Sequence, residues 1–265
     1  MSGTLQGPIG VFDSGLGGLT GLRQLRRLAP GIDLIYFGDT ARVPYGTREV
    51  EELRGFARQN VEFLRSQGAQ RVLIACGTIS SILTPSDWAA LPLPCQGVVQ
   101  AASAAALTAS RNGRIGILAT PATIRSGSYV RCMTAVRPEL MTIPVPCPAF
   151  VPLIESGRTD STELLAAARE YLAPIREAGC DTVILGCTHY PLIAPLLQRE
   201  LGSGFALIDS AGEAARLLVR DLPSQNDGRS GSVRIFVSGD AAEFHDNAVR
   251  LLGQDLPGKV THIDF

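Results

Sequence analysis

The sequence predicts an α/β protein built as two pseudo-symmetric, doubly wound domains with mainly parallel sheets. Three observations lead there. Val72-Leu73-Ile74-Ala75-Cys76-Gly77-Thr78 and Val183-Ile184-Leu185-Gly186-Cys187-Thr188-His189 read almost alike, each an apolar, β-branched run that ends in a cysteine and small polar residues. Such runs suit strands buried on both faces of a parallel sheet, and ligands bind just past the carboxyl ends of those strands. Other segments repeat in the same order: Ile9 to Gly15 matches Ile115 to Pro121, Asp33 to Asp39 matches Met141 to Cys147, and Gly97 to Ala101 matches Leu207 to Ala211. Finally, strand-like and helix-like stretches alternate along the chain, the pattern of a parallel sheet with helical crossovers.

The elements follow in order. A strand from Ile9 to Asp13 runs into Ser14-Gly15-Leu16-Gly17-Gly18-Leu19-Thr20, then an amphipathic helix through Leu22, Leu25 and Leu28 that stops at Pro30-Gly31. A glycine-rich strand-to-helix turn can present N–H groups to an anion, here a carboxylate rather than a phosphate, although tight turns use glycine for conformational reasons too. Strand Leu34 to Phe37 leads to Gly38-Asp39-Thr40-Ala41-Arg42-Val43-Pro44-Tyr45-Gly46, too polar and irregular for an element and placed where substrate contacts concentrate. A helix from Arg48 to Gln67 carries Leu53, Phe56, Ala57, Val61 and Leu64 at helical spacing as core, and the first cysteine strand follows. The second half reads as strand 115–119, helix near 125–136, strand 141–145, helix near 160–178 and strand 182–186. Beyond Asp209 come a helix near 211–220, a polar loop from Pro223 to Ser232, strand Val233 to Val237 and helix 241–252.

Composition narrows the function. The chain has 265 residues, 45 % of them hydrophobic, with 24 basic against 25 acidic side chains and no block of one sign. That balance asks for no nucleic acid and no anionic membrane as partner. Met1 to Pro8 has neither a basic nor an apolar leader region, and no apolar run approaches the roughly 20 residues of a spanning helix, so the expected address is cytoplasmic. The six cysteines, at 76, 95, 132, 147, 180 and 187, include no CxxC pair and are read as reduced thiols. Three dispersed histidines give no zinc pattern, so no metal is expected. Lys259, the sole lysine, sits in a Pro-Gly-Lys turn, which argues against a pyridoxal phosphate Schiff base. What stands out is a thiol on each of two equivalent strand ends. Two thiols facing one substrate could take a proton from one side of a carbon and return one to the other.

Asp13-Ser14-Gly15, the Gly38 to Gly46 loop, Cys76, Ala119-Thr120-Pro121-Ala122-Thr123-Ile124, Cys147 to Glu155 and Leu185-Gly186-Cys187-Thr188-His189-Tyr190-Pro191-Leu192 together resemble, from about residue 9 to 220, the glutamate racemases of the cofactor-independent aspartate/glutamate racemase superfamily. The resemblance implies an active site between the two domains, here residues 1–98 with 211–265 and residues 99–210. It implies no cofactor, glutamate as substrate, D-glutamate supplied to peptidoglycan, and a homodimer. On the matched positions, Cys76 and Cys187 would be the acid/base thiols, with Asp13 assisting the first and His189 and Glu155 the second. Substrate contacts would fall on Asp13, Ser14, Pro44, Tyr45, Gly46, Gly77, Thr78, Thr120, Thr123, Thr188 and His189.

The residue types suit the task. An amino acid's α-proton is far less acidic than a thiol of ordinary pKa about 8.5, so the base must be reactive and the carbanion stabilised electrostatically. Asp13 and His189 are the neighbours able to help form a thiolate, and a mechanism needing one thiol and one thiolate at a time predicts a bell-shaped pH dependence. Cys95, Cys132 and Cys180 are read as inert buried thiols, while Cys147, near the site, could support it. One departure bears on substrate. Where the family carries Asn-Thr-Ala-Ser after its first cysteine, this chain has Gly77-Thr78-Ile79-Ser80. Glycine and asparagine both tolerate positive φ, so the backbone path can survive the exchange. Losing a side-chain donor to a charged group costs about 1.5–3 kcal/mol, on the order of 10- to 150-fold in affinity or rate. Restoring it by Gly77→Asn is expected to raise activity several-fold. The alternatives are action on another acidic compound, or a weakly active or non-catalytic binding protein that keeps the fold.

Overall fold

The computed structural model describes residues 7–222 and 230–265. Among these, ten strands form two wholly parallel sheets. The strands are β1 Ile9–Asp13, β2 Leu34–Gly38, β3 Arg71–Ile74, β4 Cys95–Gly97, β5 Arg114–Ala119, β6 Met141–Pro146, β7 Thr182–Leu185, β8 Ala206–Asp209, β9 Val233–Val237 and β10 Val260–His262. One sheet has the order β10-β9-β2-β1-β3-β4 and the other β6-β5-β7-β8. The order β2-β1-β3-β4 in the first recurs as β6-β5-β7-β8 in the second, so the internal repeat is a repeat of topology. In each, the chain crosses one way from the first strand to the second and the other way to the third. The crevice where parallel strands so diverge, β1/β3 and β5/β7, is where such sheets bind ligands.

β1, β2 and β7 are buried throughout, and β3 nearly so. Alternate residues of one strand therefore feed different cores. Ile9 and Val11 pack with Leu22 and Leu25 of the helix Leu19–Leu28, while Phe12 packs with Leu53, Ala57 and Val61 of the helix Val50–Ser66. The second sheet repeats the pattern with Leu172 and Ile175 of the helix Thr162–Glu177 on one face and Tyr129 and Met133 on the other. Two helices join the lobes. In Val98–Ala109, Val98 and Ala101 enter a core of the first sheet and Val99, Ala102 and Ala106 a core of the second. The helix Ser210–Val219 returns the chain, with Ala214, Ala215 and Leu218 in the first core. No described helix is long and apolar enough to cross a membrane.

Several expectations need correction. The single helix near 125–136 is two, Pro121–Ser126 and Ser128–Thr134, broken where Gly127 takes the left-handed conformation at φ 63. Of the matched segment Gly97 to Ala101, only Gly97 is strand; β4 ends there and Val98 opens a helix. Gly97 pairs with Ile74 as Asp209 pairs with Leu185, so the fourth repeat runs Gly97 to Asp209, two residues from the match proposed on hydropathy. The Gly38 to Gly46 loop contains two short 3-10 turns, Thr40–Arg42 and Tyr45–Thr47. Short helices at Gly77–Ile82, Pro85–Ala89, Phe150–Glu155 and Ala194–Leu201 carry too few turns for a readable period. Most of the expected Pro223 to Ser232 loop lies outside the described residues.

The lobes are linked beside the cleft by Thr20, whose hydroxyl lies 2.9 Å from both the Gly17 and Thr188 carbonyl oxygens. Thr20→Val keeps the shape but takes the hydroxyl donor from the Thr188 carbonyl, while the Gly17 carbonyl keeps the Thr20 amide. It is expected to cost about 1–3 kcal/mol, read as a lower urea midpoint with unchanged slope.

Candidate active site

A cavity of about 780 Å³ opens between the carboxyl ends of the two sheets, a volume usual for small-molecule sites. Each wall comes from the end of a strand. Asp13 ends β1 and Ser14 follows; Cys76 comes two residues after β3, just before the helix Gly77–Ile82; Thr120 caps the helix that follows β5; Cys187 comes two residues after β7, with Thr188 and His189 next. All of these, together with Pro44, Tyr45, Gly46, Gly77, Thr78, Thr123 and Glu155, line this one cavity.

The two thiols have different neighbours. On the first lobe, Cys76 Sγ points at Ser14 Oγ, 3.6 Å away. Asp13 Oδ2 accepts from the Gly15 and Gly18 amides at 3.1 and 3.0 Å, which ties the glycine loop to the end of β1. Burial pushes the Asp13 carboxyl up, against the pull of His189 and of the Gly18, Gly15 and Ser14 amides. Burial, and then the Asp13 charge, push the Cys76 thiol up to about 12. At neutral pH Cys76 is therefore a proton carrier.

On the second lobe, His189 Nδ1 is 3.7 Å from Cys187 Sγ and its Nε2 is 2.9 Å from Glu155 Oε1. Burial alone would lower the imidazole. Its hydrogen bonds to Cys187 and Glu155 outweigh that and raise it to about 10, so the ring is an imidazolium at neutral pH. Glu155 ends the short helix Phe150–Glu155 and is half exposed at the cavity edge. Cys147, in contrast, is buried with its Sγ toward the Val145 carbonyl, 3.4 Å away, and burial pushes its thiol up; it does not line the cavity.

At Gly17 and Gly77 the lobes approach each other closely. A Cβ on Gly17 would lie 2.2 Å from Thr188 Oγ1 and 2.6 Å from His189 Nδ1, so no side chain fits between the Asp13 loop and the Cys187 loop. A Cβ on Gly77 would meet the Gly186 carbonyl oxygen at 3.0 Å and Thr123 Oγ1 at 3.7 Å. Gly77 opens a right-handed helix and has no positive φ, so glycine is not required there by backbone conformation, and the expected tolerance of positive φ has no part to play.

The sequence reading missed other cavity residues. Arg125 lies on the helix after Thr120, and Asp240, Glu243, Phe244 and Asn247 come from the turn after β9 and the helix Ala241–Leu252. Only the pairing of β9 with β2 carries that segment to the site, and no local pattern announces it. Among the described residues no group of three or more His, Cys, Asp or Glu side chains is arranged to hold a metal ion.

Fold and cavity define a class: a two-lobed parallel α/β enzyme whose site joins the switch points of two duplicated sheets. The sequence matches the Asp/Glu/Hydantoin racemase family over residues 20–218. It is 42% identical to a glutamate racemase of Desulforudis audaxviator over 268 residues, covering 97% of this chain and 98% of that one. Glutamate racemase structures from Bacillus anthracis and, in complex with D-glutamate, from Francisella tularensis superpose with TM-scores of 0.88 and 0.84, each at 32% identity. The first covers 98% of both chains and the second 97% of both. The chain belongs to the Asp/Glu/hydantoin racemase family, and is an amino-acid racemase.

Two outcomes follow from this geometry. Gly17→Ala is expected to lower kcat/KM by at least about 100-fold, checked by coupled racemisation assays on a variant shown folded by circular dichroism. Glu155→Gln removes a partner that raises His189, so the imidazolium is lost at lower pH. The alkaline limb of kcat/KM, near pH 10 with Glu155 in place, is expected to move down. The same linkage makes the His189 contribution to folding stability complete below about pH 6.5 and lost as pH rises through about 10.

Proposed function

We propose that this protein interconverts L- and D-glutamate by two-thiol acid/base catalysis without a cofactor. The observation that carries the reading is the placement of Cys76 and Cys187 at equivalent strand ends, on opposite lobes of one cavity, in a chain of this family. One sulfur, as thiolate, takes the α-proton, and the electron pair spreads into the α-carboxylate. The other, as thiol, gives its proton to the opposite face and is left as the thiolate. Cys76, whose thiol burial and the Asp13 charge raise, is suited to hold a proton for donation, and Cys187 has the His189 ring beside it.

Amide donors at the starts of the Gly77–Ile82 helix and of the Tyr45–Thr47 turn have no intrahelical partners and are available to carboxylate oxygens; in Pro121–Ser126 only the Ala122 amide is, because Pro121 has no N–H and Thr120 Oγ1 accepts from the Thr123 amide. The Tyr45 hydroxyl is engaged by Asp39, so Tyr45 would contact substrate through its backbone or ring edge. Ser14, Thr78, Thr120, Thr123 and Thr188 supply hydroxyls around the same space. The domain division at residues 98/99 and 210/211 accords with the two sheets. We further assign D-glutamate to peptidoglycan synthesis, a cytoplasmic address and a homodimer, on the resemblance of the chain to glutamate racemases. Action on another acidic compound and a non-catalytic binding role are disfavoured by the two intact thiols and by relatives that are glutamate racemases.

Proton NMR of each glutamate enantiomer in heavy water is the test. The α-proton signal should vanish as optical rotation decays, with Cys76→Ala and Cys187→Ala each abolishing racemisation. No exchange from either enantiomer would sink the reading. Gly77 can be resolved by a pair of variants. Gly77→Ala adds only the close contact to Gly186 and should lower kcat/KM. Gly77→Asn adds an amide as well and is expected to exceed the unaltered protein several-fold; a value at or below that of Gly77→Ala would mean the pocket is built around glycine.

A further inference from the structure

Asp39, the residue after β2, is fully buried, and it gathers donors from three parts of the chain. Arg42 Nε lies 2.9 and 2.7 Å from its two oxygens, Ser238 Oγ donates at 2.9 Å, Asn60 Nδ2 at 3.3 Å, and the Tyr45 hydroxyl completes the set. Burial, and then the Asp39 charge, raise the Tyr45 phenol, which keeps its proton and stays a donor. Two cavity walls hang on this carboxylate. One is the turn with Pro44, Tyr45 and Gly46. The other is the turn after β9, where Ser238 Oγ also accepts from the Ala41 amide at 3.0 Å and the Gly239 amide donates to Thr40 Oγ1 at 3.0 Å.

The Arg42 guanidinium is itself held from outside. Its carbon lies 4.0 Å from the Phe56 ring centroid and 4.7 Å from that of Phe265, and its other nitrogens reach Asn60 and Gln59. Phe265 also packs tilted against Phe37 and edge-on against Phe63, with centroids 4.9 and 5.8 Å apart. A guanidinium between two rings, aimed at a buried carboxylate, has little freedom to swing away. We infer that Asp39, Arg42 and Phe265 form a latch that positions the Pro44–Gly46 turn for substrate capture, with Phe265 as its outer, removable part. None of the three touches the thiols. The turn they hold offers amides to a part of the substrate remote from the proton transfer, so loosening it removes binding shared by ground state and transition state.

The inference rests on the glutamate reading for its kinetic arm and on hydrogen exchange alone for its structural arm. Asp39→Asn disturbs a buried network and risks the fold, so the informative change is at half-exposed Phe265. With Phe265→Ala in the full chain, amides 43–48 should exchange faster without substrate. KM for glutamate should rise about fivefold with kcat within about twofold, and Phe265→Tyr, which keeps the ring, should restore both. Unchanged exchange at 43–48, or a fall in kcat at constant KM, would overturn the latch. Should the unaltered protein fail to racemise glutamate, the functional reading fails while the exchange comparison still decides the latch.

Discussion

The site depends on one topological constraint applied twice. In a parallel sheet every connection must cross a face, and where successive crossovers take opposite faces the strand ends part and leave a crevice. Here that happens between β1 and β3 and again between β5 and β7, and the lobes meet with the two crevices open to one cavity. Asp13 and Cys76 stand at one, Thr120 and Cys187 at the other. The helix Val98–Ala109, shared between cores of both sheets, and the Thr20 bridge to the Cys187 loop hold the halves together.

The four strands β2-β1-β3-β4 repeat as β6-β5-β7-β8, and the chemistry at their ends does not. The end of β1 carries Asp13 where the end of β5 carries Ala119, and the loop after β7 carries His189 where the corresponding loop after β3 carries Thr78. One thiol consequently sits beside a buried carboxyl, which with burial raises it, and the other beside an imidazole held charged by Glu155. A reaction that reverses configuration needs groups on both faces of one carbon, but at any instant one must hold a proton and the other must not. Unequal surroundings distinguish the two thiols: Cys76 lies beside Asp13 and Ser14, Cys187 beside His189.

Much of this was legible locally. The strands before Cys76 and Cys187 are short apolar runs whose β-branched residues are buried, and burial on both faces is what an unbroken run records. The two cysteines were legible because each follows such a strand directly, and the loop after β2 because irregular polar chain at a strand end is where substrate contacts gather; the roles of Asp13 and His189 came from the resemblance. Glu155 was placed only by resemblance, since nothing in the stretch Phe150 to Glu155 says which residue its carboxylate meets. The Gly127 break and the short helices escaped for a physical reason as well: a periodicity needs several turns to show, and one or two turns do not supply them.

By itself the sequence determined the two-sheet α/β plan, the duplication and the pair of strand-end thiols, because burial and turn chemistry act between near neighbours. The tertiary structure alone decided that Gly17 must be small, that Gly77 abuts the Gly186 carbonyl, and that Asp39 gathers Tyr45, Asn60 and Ser238 around itself. It alone brought the turn after β9 and the helix Ala241–Leu252 to the cavity rim. These are contacts between residues far apart in the chain, made by the pairing of β9 with β2 and the meeting of two lobes. The energy of such contacts depends on distances that no local pattern encodes.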